Sequence, residues 1–408
     1  MENCILRPSF QVVSVTLALA LLCCSVASSA TAVRNDRPLI AALRSDLASY
    51  VSKRRSLEHI SAVSLAVSVR GKPTIVVAAG TVSSAPHSAN VGPTSLFQIG
   101  SNTKAFTAAL ILNLEAQHKL RITDRLGKWL PQYTAWKNVT IRQLLNMTSG
   151  IPTYDNDPAF QRRWAANPYR DYSAAELIAA VYPKNGRAKF EPGWYYSNTA
   201  YILSELIIKR ASGLSYADAL QKYFVAPLHL RDVYYDANQL PQPIARRVVS
   251  GYFASDDADN KYLAPLFGKD TKNFTLSWAQ SAGGIVATPV ALVPWFRALY
   301  EGSAMPARQR IELMQLVSQK AGKPISGVTA REPRGFGLGV AQAILPAVGA
   351  AWMYEGMTLG YRVLHVWLPK SDAVIVMATN SQPRAKDNGL GSDLMMHVYQ
   401  TLRAYRAL

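Results

Sequence analysis

The chain has 408 residues, of which 49% are hydrophobic and 17% charged, with a formal net charge of +18 and a pI near 9.8. That length and apolar content build a large core easily, as one large domain or two intimately joined ones. The basic balance contains no block beyond Lys53-Arg54-Arg55 and no aromatic-interleaved basic stripe. It therefore reads as charge scattered over a solvated surface, and nucleic acid is excluded as an expected partner.

The N-terminus has the pattern of an export leader. Arg7 supplies a positive start, Val12 to Val26 an apolar stretch, and Ala27-Ser28-Ser29-Ala30-Thr31-Ala32 a small-residue exit. A signal peptide over residues 1–30, cleaved after Ala30 or Ala32, is expected, followed by a domain over 33–405. The apolar stretch is short for a membrane span, so no stable span is expected after cleavage. A lipid-modified cysteine is disfavoured because Leu22 is bulky before Cys23. Cys4, Cys23 and Cys24 are the chain's three cysteines. A mature chain would then have no disulfide, thiolate metal site or cysteine nucleophile, and would lie in a bacterial periplasm or outside the cell.

Pro38 to Val51 has the apolar spacing of an amphipathic helix. Val63 to Val69 alternates as a half-buried strand, Arg70-Gly71-Lys72-Pro73 turns, and Thr74 to Ala79 returns as the second arm of a hairpin. From Ser101 to about Tyr234 helical stretches alternate with Pro-, Gly- and Asn-rich loops. Strand character returns at Phe336–Ile344, Ala350–Tyr354, Tyr361–Leu368 and Ala373–Ala378, and an amphipathic helix from about Ser392 closes the chain. The pattern implies one sheet built from both chain ends (33–97 and 275–408), with a mainly helical subdomain, 98–274, inserted between them. The fold class is α/β in the α+β sense.

Chemistry concentrates at Ser101-Asn102-Thr103-Lys104. The following run, Ala105 to Leu114, carries no charge, so Lys104 sits near the start of a helix buried on most sides. A lysine there needs polar partners or sheds its proton. A spacing of three puts Ser101 on the same helix face, an arrangement suited to an activated serine nucleophile. Singly, Ser101 reads as a helix cap and Lys104 as a side chain reaching solvent.

Taken with Phe190-Glu191-Pro192-Gly193-Trp194-Tyr195-Tyr196-Ser197-Asn198, the Phe97–Thr107 segment resembles the serine D,D-peptidase and class C β-lactamase superfamily. Tyr196-Ser197-Asn198 matches its Y-x-N element. Leu144 to Pro152 resembles its loop after the second helix, with Met147 where histidine is common. Ala282-Gly283-Gly284-Ile285-Val286-Ala287-Thr288 resembles its helix-entry segment, with Ala291 in place of a frequent aspartate. The resemblance implies the β-lactamase/transpeptidase-like fold, an antiparallel sheet flanked by helices. It also implies an acyl-enzyme on Ser101, with Lys104 deprotonating the serine and Tyr196 relaying protons. Asn198 would bond Lys104 and the substrate, and the backbone N–H groups of Ser101 and Met357 would hold the oxyanion. No cofactor or metal is implied, and the six histidines form no H-E-x-x-H motif.

The chain departs from its relatives at the third element. Where they carry K-T-G or H-T-G, it has Tyr354-Glu355-Gly356. Tyr354, Gly356 and Met357 are therefore expected at the substrate, with Glu355 turned away if Tyr354 faces the pocket, and Arg362 as a replacement positive charge. Loss of the basic residue predicts poor β-lactam hydrolysis and weak D,D-carboxypeptidase action. The expected function is an exported serine hydrolase cleaving an ester or amide: a small-molecule or peptide acyl substrate, peptidoglycan fragments included. A true class C-type β-lactamase or D-alanyl-D-alanine carboxypeptidase is the alternative, and a non-catalytic penicillin-binding-like cell-wall sensor the second.

Overall fold

A computed structural model describes residues 36–237, 240–254, 258–383 and 390–408. The leader expected over 1–30, its cleavage positions and all three cysteines lie outside the described residues. Residues Arg37–Leu408 form one compact unit.

The first helix, α1 (Arg37–Glu58), buries Leu39, Leu43, Leu47 and Val51, a stripe repeating every four residues. It runs two turns beyond the expected Val51. Its last residue, Glu58, is buried, accepting bonds from Arg54 at 2.5 Å and from Ser381 Oγ at 2.8 Å. The basic run therefore continues the helix instead of ending it.

Nine strands form one antiparallel sheet: β1 (Ala62–Val69), β2 (Ile75–Gly80), β3 (Leu316–Ser318), β4 (Pro324–Ile325), β5 (Arg334–Phe336), β6 (Ala341–Leu345), β7 (Gly349–Thr358), β8 (Tyr361–Leu368) and β9 (Ala373–Thr379). Their order is β2-β1-β9-β8-β7-β6-β5-β3-β4. Both chain ends thus meet where β1 pairs with β9, in the register Val63↔Thr379 to Val69↔Ala373. β9 is apolar from Ala373 to Ala378 because both of its faces are covered. Ala373, Ile375 and Met377 pack under α1, whereas Val374, Val376 and Ala378 join the larger core on the other face.

Two expected strands come out differently. Phe336–Ile344 is not one strand but β5 and β6, paired to each other and separated by a reversal at Gly337-Leu338-Gly339-Val340. Gly339 has φ +71°, and a Cβ there would lie 2.5 Å from the carbonyl oxygen of Lys104. A run rich in β-formers thus hides a turn imposed by close packing. The strand expected to stop at Tyr354 continues to Thr358, since Trp352–Thr358 of β7 pairs with β8 across a two-residue loop in which Gly360 has φ +90°.

The helical block stands on the other face of the sheet. Its centre is α2 (Thr103–Ala116), in which every side chain from Thr103 to Leu112 is buried. Phe106 stacks on Trp295 of α4 (Pro289–Glu301), with ring centroids 3.8 Å apart. α3 (Asn198–Ser212) packs beside α2, with Ser197 Oγ capping its first turn. The closing helix, α5 (Leu390–Ala404), returns to α1 on the opposite face. Among the described residues no helix is long and apolar enough to cross a membrane.

Candidate active site

Ser101 lies in a tight 3-10 turn, Gly100–Asn102, that leads into α2. Two glycines let β7 press against this turn. Gly100 has φ +52°, and a Cβ on it would sit 2.6 Å from the Met357 nitrogen. A Cβ on Gly356 would lie 2.0 Å from the Ile99 oxygen and 2.8 Å from the Ser101 nitrogen. The backbone amides of Ser101 and Met357 thus flank a crossing that only glycine permits.

Behind the turn, Asn102 Nδ2 donates to the Val363 carbonyl at 2.6 Å, and His365 Nδ1 lies 2.6 Å from Asn102 Oδ1. With the Asn102 amide so oriented, His365 Nδ1 carries the proton and Nε2 accepts from Tyr300 Oη, 2.8 Å away. Burial pushes the imidazole pKa down to about 3, so the ring is neutral. His365 is a structural histidine that ties the nucleophile turn to β8.

Lys104 is entirely buried. Its Nζ donates to Ser101 Oγ at 2.9 Å and to the Ala282 carbonyl at 2.7 Å. Ser101 Oγ is also 2.5 Å from Tyr196 Oη. Both single-residue alternatives fail here: Ser101 Oγ binds side chains instead of capping a helix, and Lys104 does not reach water. Burial holds the amine below its ordinary pKa, opposed by the neighbouring Tyr196 and Asp155. The ammonium position lies 4.9 Å from the Tyr196 ring centre and 5.3 Å from that of Tyr201. The Tyr354 phenol adjoins Tyr196, and burial first, then Tyr196, pushes its pKa well up.

The loop beneath Tyr196 is braced by Met147. Its carbonyl accepts from Tyr195 N and its sulfur from Ser197 N, with Met147 itself at φ +65°. The Ala282 carbonyl is held in place because Ser281 gives its N–H to Glu205 and its carbonyl accepts from Thr107 Oγ1.

A cleft of about 260 Å³ opens over Ser101, bordered by Tyr196, Asn198, Tyr354, Glu355, Met357, Asp155 and Trp278. The expected site residues converge, but two expected contacts are not made, the bond from Asn198 to Lys104 and an Arg362 charge in the cleft. Asn198 Nδ2 donates to Asp155 Oδ2 at 2.6 Å, while Lys104 donates to Ser101 and Ala282 instead. Arg362 does not restore a positive charge to the cleft. It pairs across the strands with Met357 on the far face of the sheet, where it bonds Tyr50 Oη at 3.2 Å and lies 3.7 Å from Glu58. Glu355 stands opposite Leu364 in the strand register, on the face of Arg362, and still borders the edge of the cleft. Burial raises its pKa and Arg362 opposes the rise.

Three contributors had no signal in the sequence. Asp155 is one carboxylate in a loop, Trp278 one of eight tryptophans, and the Ala282 carbonyl belongs to the backbone. Each is brought in by folding from a separate segment.

The architecture, a sheet and a helical block meeting at a serine-bearing helix, is a β-lactamase/transpeptidase-like fold. The sequence pattern of the Beta-lactamase family matches residues 47–400, and the chain belongs to that family, within the superfamily of serine acyl-transferring hydrolases. It is 31% identical over 210 residues to Penicillin-binding protein 4* of Bacillus subtilis, a match covering 51% of this chain and 45% of that protein. Protein flp of Staphylococcus aureus is 34% identical over 145 residues, covering 34% of this chain and 28% of that one. The chain thus spans less than half the length of these curated relatives. Among solved structures, D-amino acid amidase of Ochrobactrum anthropi complexed with L-phenylalanine amide superposes with a TM-score of 0.73 at 22% identity. That superposition covers 90% of this chain and 99% of the amidase. A D-stereospecific amidohydrolase from Streptomyces sp. gives 0.68 at 24% identity, covering 83% and 94%. At these identities the structures establish the fold.

Proposed function

We propose that this protein is a serine hydrolase that cleaves an ester or amide through an acyl-enzyme on Ser101. The observation that carries the reading is the pair of short contacts from Ser101 Oγ, 2.9 Å to Lys104 and 2.5 Å to Tyr196. A buried amine of lowered pKa accepts the hydroxyl proton as Oγ attacks the acyl carbon. The carbonyl oxygen turns toward the Ser101 and Met357 amides. Tyr196 hands a proton to the departing amine or alkoxide as the old bond breaks, and water, deprotonated by the same groups, then releases the acid. Tyr354, Gly356 and Met357 form the wall along which the substrate lies. Asn198 contacts its amide or ester part.

The names of the Ochrobactrum and Streptomyces relatives, an amidase and an amidohydrolase for D-amino acids, support amide substrates of that kind. No lysine, arginine or histidine borders the cleft among the described residues, which disfavours the β-lactamase and carboxypeptidase alternatives because their substrates are carboxylates. The leader-like N-terminus supports a periplasmic or secreted location, where peptidoglycan fragments are within reach. Fluorophosphonate labelling with intact-mass analysis, then a panel of nitrocefin, p-nitrophenyl esters, acyl-D-Ala-D-Ala and D-amino-acid amides, tests the reading. Labelling at Ser101 with turnover of esters or amides is expected. No adduct, or an undiminished adduct on Ser101→Ala, sinks it in favour of a binding-only protein. Fast nitrocefin turnover without ester cleavage reverses the substrate ranking.

A further inference from the structure

Although the chain carries a net charge of +18, the charged side chain that borders the catalytic cleft from the helical block is a carboxylate. Asp155 follows Tyr154 in a short turn, partly exposed and fixed from two sides. Thr153 Oγ1 donates to its Oδ1, and Asn198 Nδ2 donates to its Oδ2 at 2.6 Å. It is close enough to Lys104 for its charge to oppose the effect of burial on that amine. It also stands at a junction: a second cavity of about 130 Å³ shares Asp155, Trp278 and Met357 with the cleft. A substrate extending past Ser101 in that direction passes the carboxylate.

The chemistry presented there is that of an acceptor. Asn198 gives one N–H of Nδ2 to Asp155, and its Oδ1 is left to accept a proton from a donor on the substrate. Tyr154 Oη is turned onto the Trp278 carbonyl at 2.5 Å, which takes that phenol's proton out of the cleft. Aromatic walls from Tyr154 and Trp278 complete the surroundings. An anion brought here meets repulsion and no cationic side chain. An ammonium instead finds a carboxylate, an amide oxygen and π-faces.

We propose that Asp155 is the specificity residue of this cleft and binds the free ammonium group of a substrate whose acyl part is an amino acid, a reading that rests on the acyl-enzyme assignment above. The substrate class narrows to amides or esters of amino acids with an unblocked amine. Carboxylate-bearing substrates are rejected by the same charge.

The test compares matched probes on the full chain: phenylalanine p-nitroanilide, both enantiomers, against 3-phenylpropionyl p-nitroanilide, which has the same shape without the amine. Wild-type kcat/KM is expected to favour the aminated probe by about tenfold or more, the gain of one charge-assisted hydrogen bond. In Asp155→Asn that preference falls to within about twofold, through KM, while Asp155→Glu keeps most of it. Protection of Ser101 from fluorophosphonate labelling is read in parallel, as a binding readout independent of turnover. Phenylalaninamide is expected to slow labelling of the wild type but not of Asp155→Asn, and 3-phenylpropionamide to slow neither. Equal turnover and equal protection by the aminated and amine-free probes overturn the assignment of Asp155 while leaving the hydrolase reading intact. Failure of the fluorophosphonate to label Ser101 at all overturns the hydrolase reading, and this inference with it.

Discussion

The two faces of β7 and β8 carry similar chemistry to opposite ends. On the face toward α2, Tyr354, Gly356 and His365 surround the nucleophile turn, with Tyr354 beside Tyr196 and His365 Nδ1 2.6 Å from Asn102 Oδ1. On the face toward α1, Arg362 sits in a buried network with Tyr50, Glu58 and Ser381. The cation expected at the third sequence element is absent from the first face, and Arg362 is locked into the second. One residue of register separates a charge that recognises substrate from a charge that holds a helix to a sheet.

The sharpest way to break this contrast is at the nucleophile. Ser101→Ala or Lys104→Ala is expected to lower ester or amide turnover about a thousandfold or more, with the thermal midpoint kept within a few degrees. Steady-state kinetics with a melting curve decides it. Next comes Gly356→Ala, whose methyl would meet the Ile99 oxygen at 2.0 Å and force β7 off the turn. A loss of about a hundredfold in kcat is expected from the displaced Met357 amide.

Arg362→Met probes the other face. It leaves the Glu58 carboxylate with less compensation and should cost about 3 kcal/mol in urea unfolding, with turnover of the folded fraction within about threefold of wild type. A loss of activity as large as that of Gly356→Ala would erase the distinction between the faces.

Two pH effects refine it. Acylation needs the Lys104 amine neutral, and its pKa is lowered, so the rate should rise with pH along a limb below the ordinary lysine value of 10.5. A pH profile of fluorophosphonate labelling reads this. His365, at about 3 in the fold against 6.5 for the free side chain, binds fewer protons folded than unfolded between those values. Its contribution is therefore fully present above pH 6.5 and lost as pH falls toward 3. His365→Gln should flatten the stability profile in that window, the smallest of these effects.

Much of the site was legible because it depends on local spacing. Ser101 and Lys104 are three apart on one helix, and the apolar run after them announced that the lysine is buried. Tyr196-Ser197-Asn198 was legible as a motif, down to Ser197 capping α3. The partner of Asn198 was not, because Asp155 lies 43 residues away and nothing in its own neighbourhood marks it. Gly337-Leu338-Gly339 was read as strand because the signal for its turn is the Lys104 backbone, far away in sequence.

By itself, then, the sequence determined the elements, the antiparallel sheet made from both chain ends, and the buried serine–lysine pair. These follow from periodicities of two and 3.6 residues and from the cost of burying an amine. Tertiary structure alone decided which charges face the substrate. That choice depends on which strand face Arg362 and Glu355 take and on which loop delivers Asp155, and both are fixed by long-range pairing that no local pattern records.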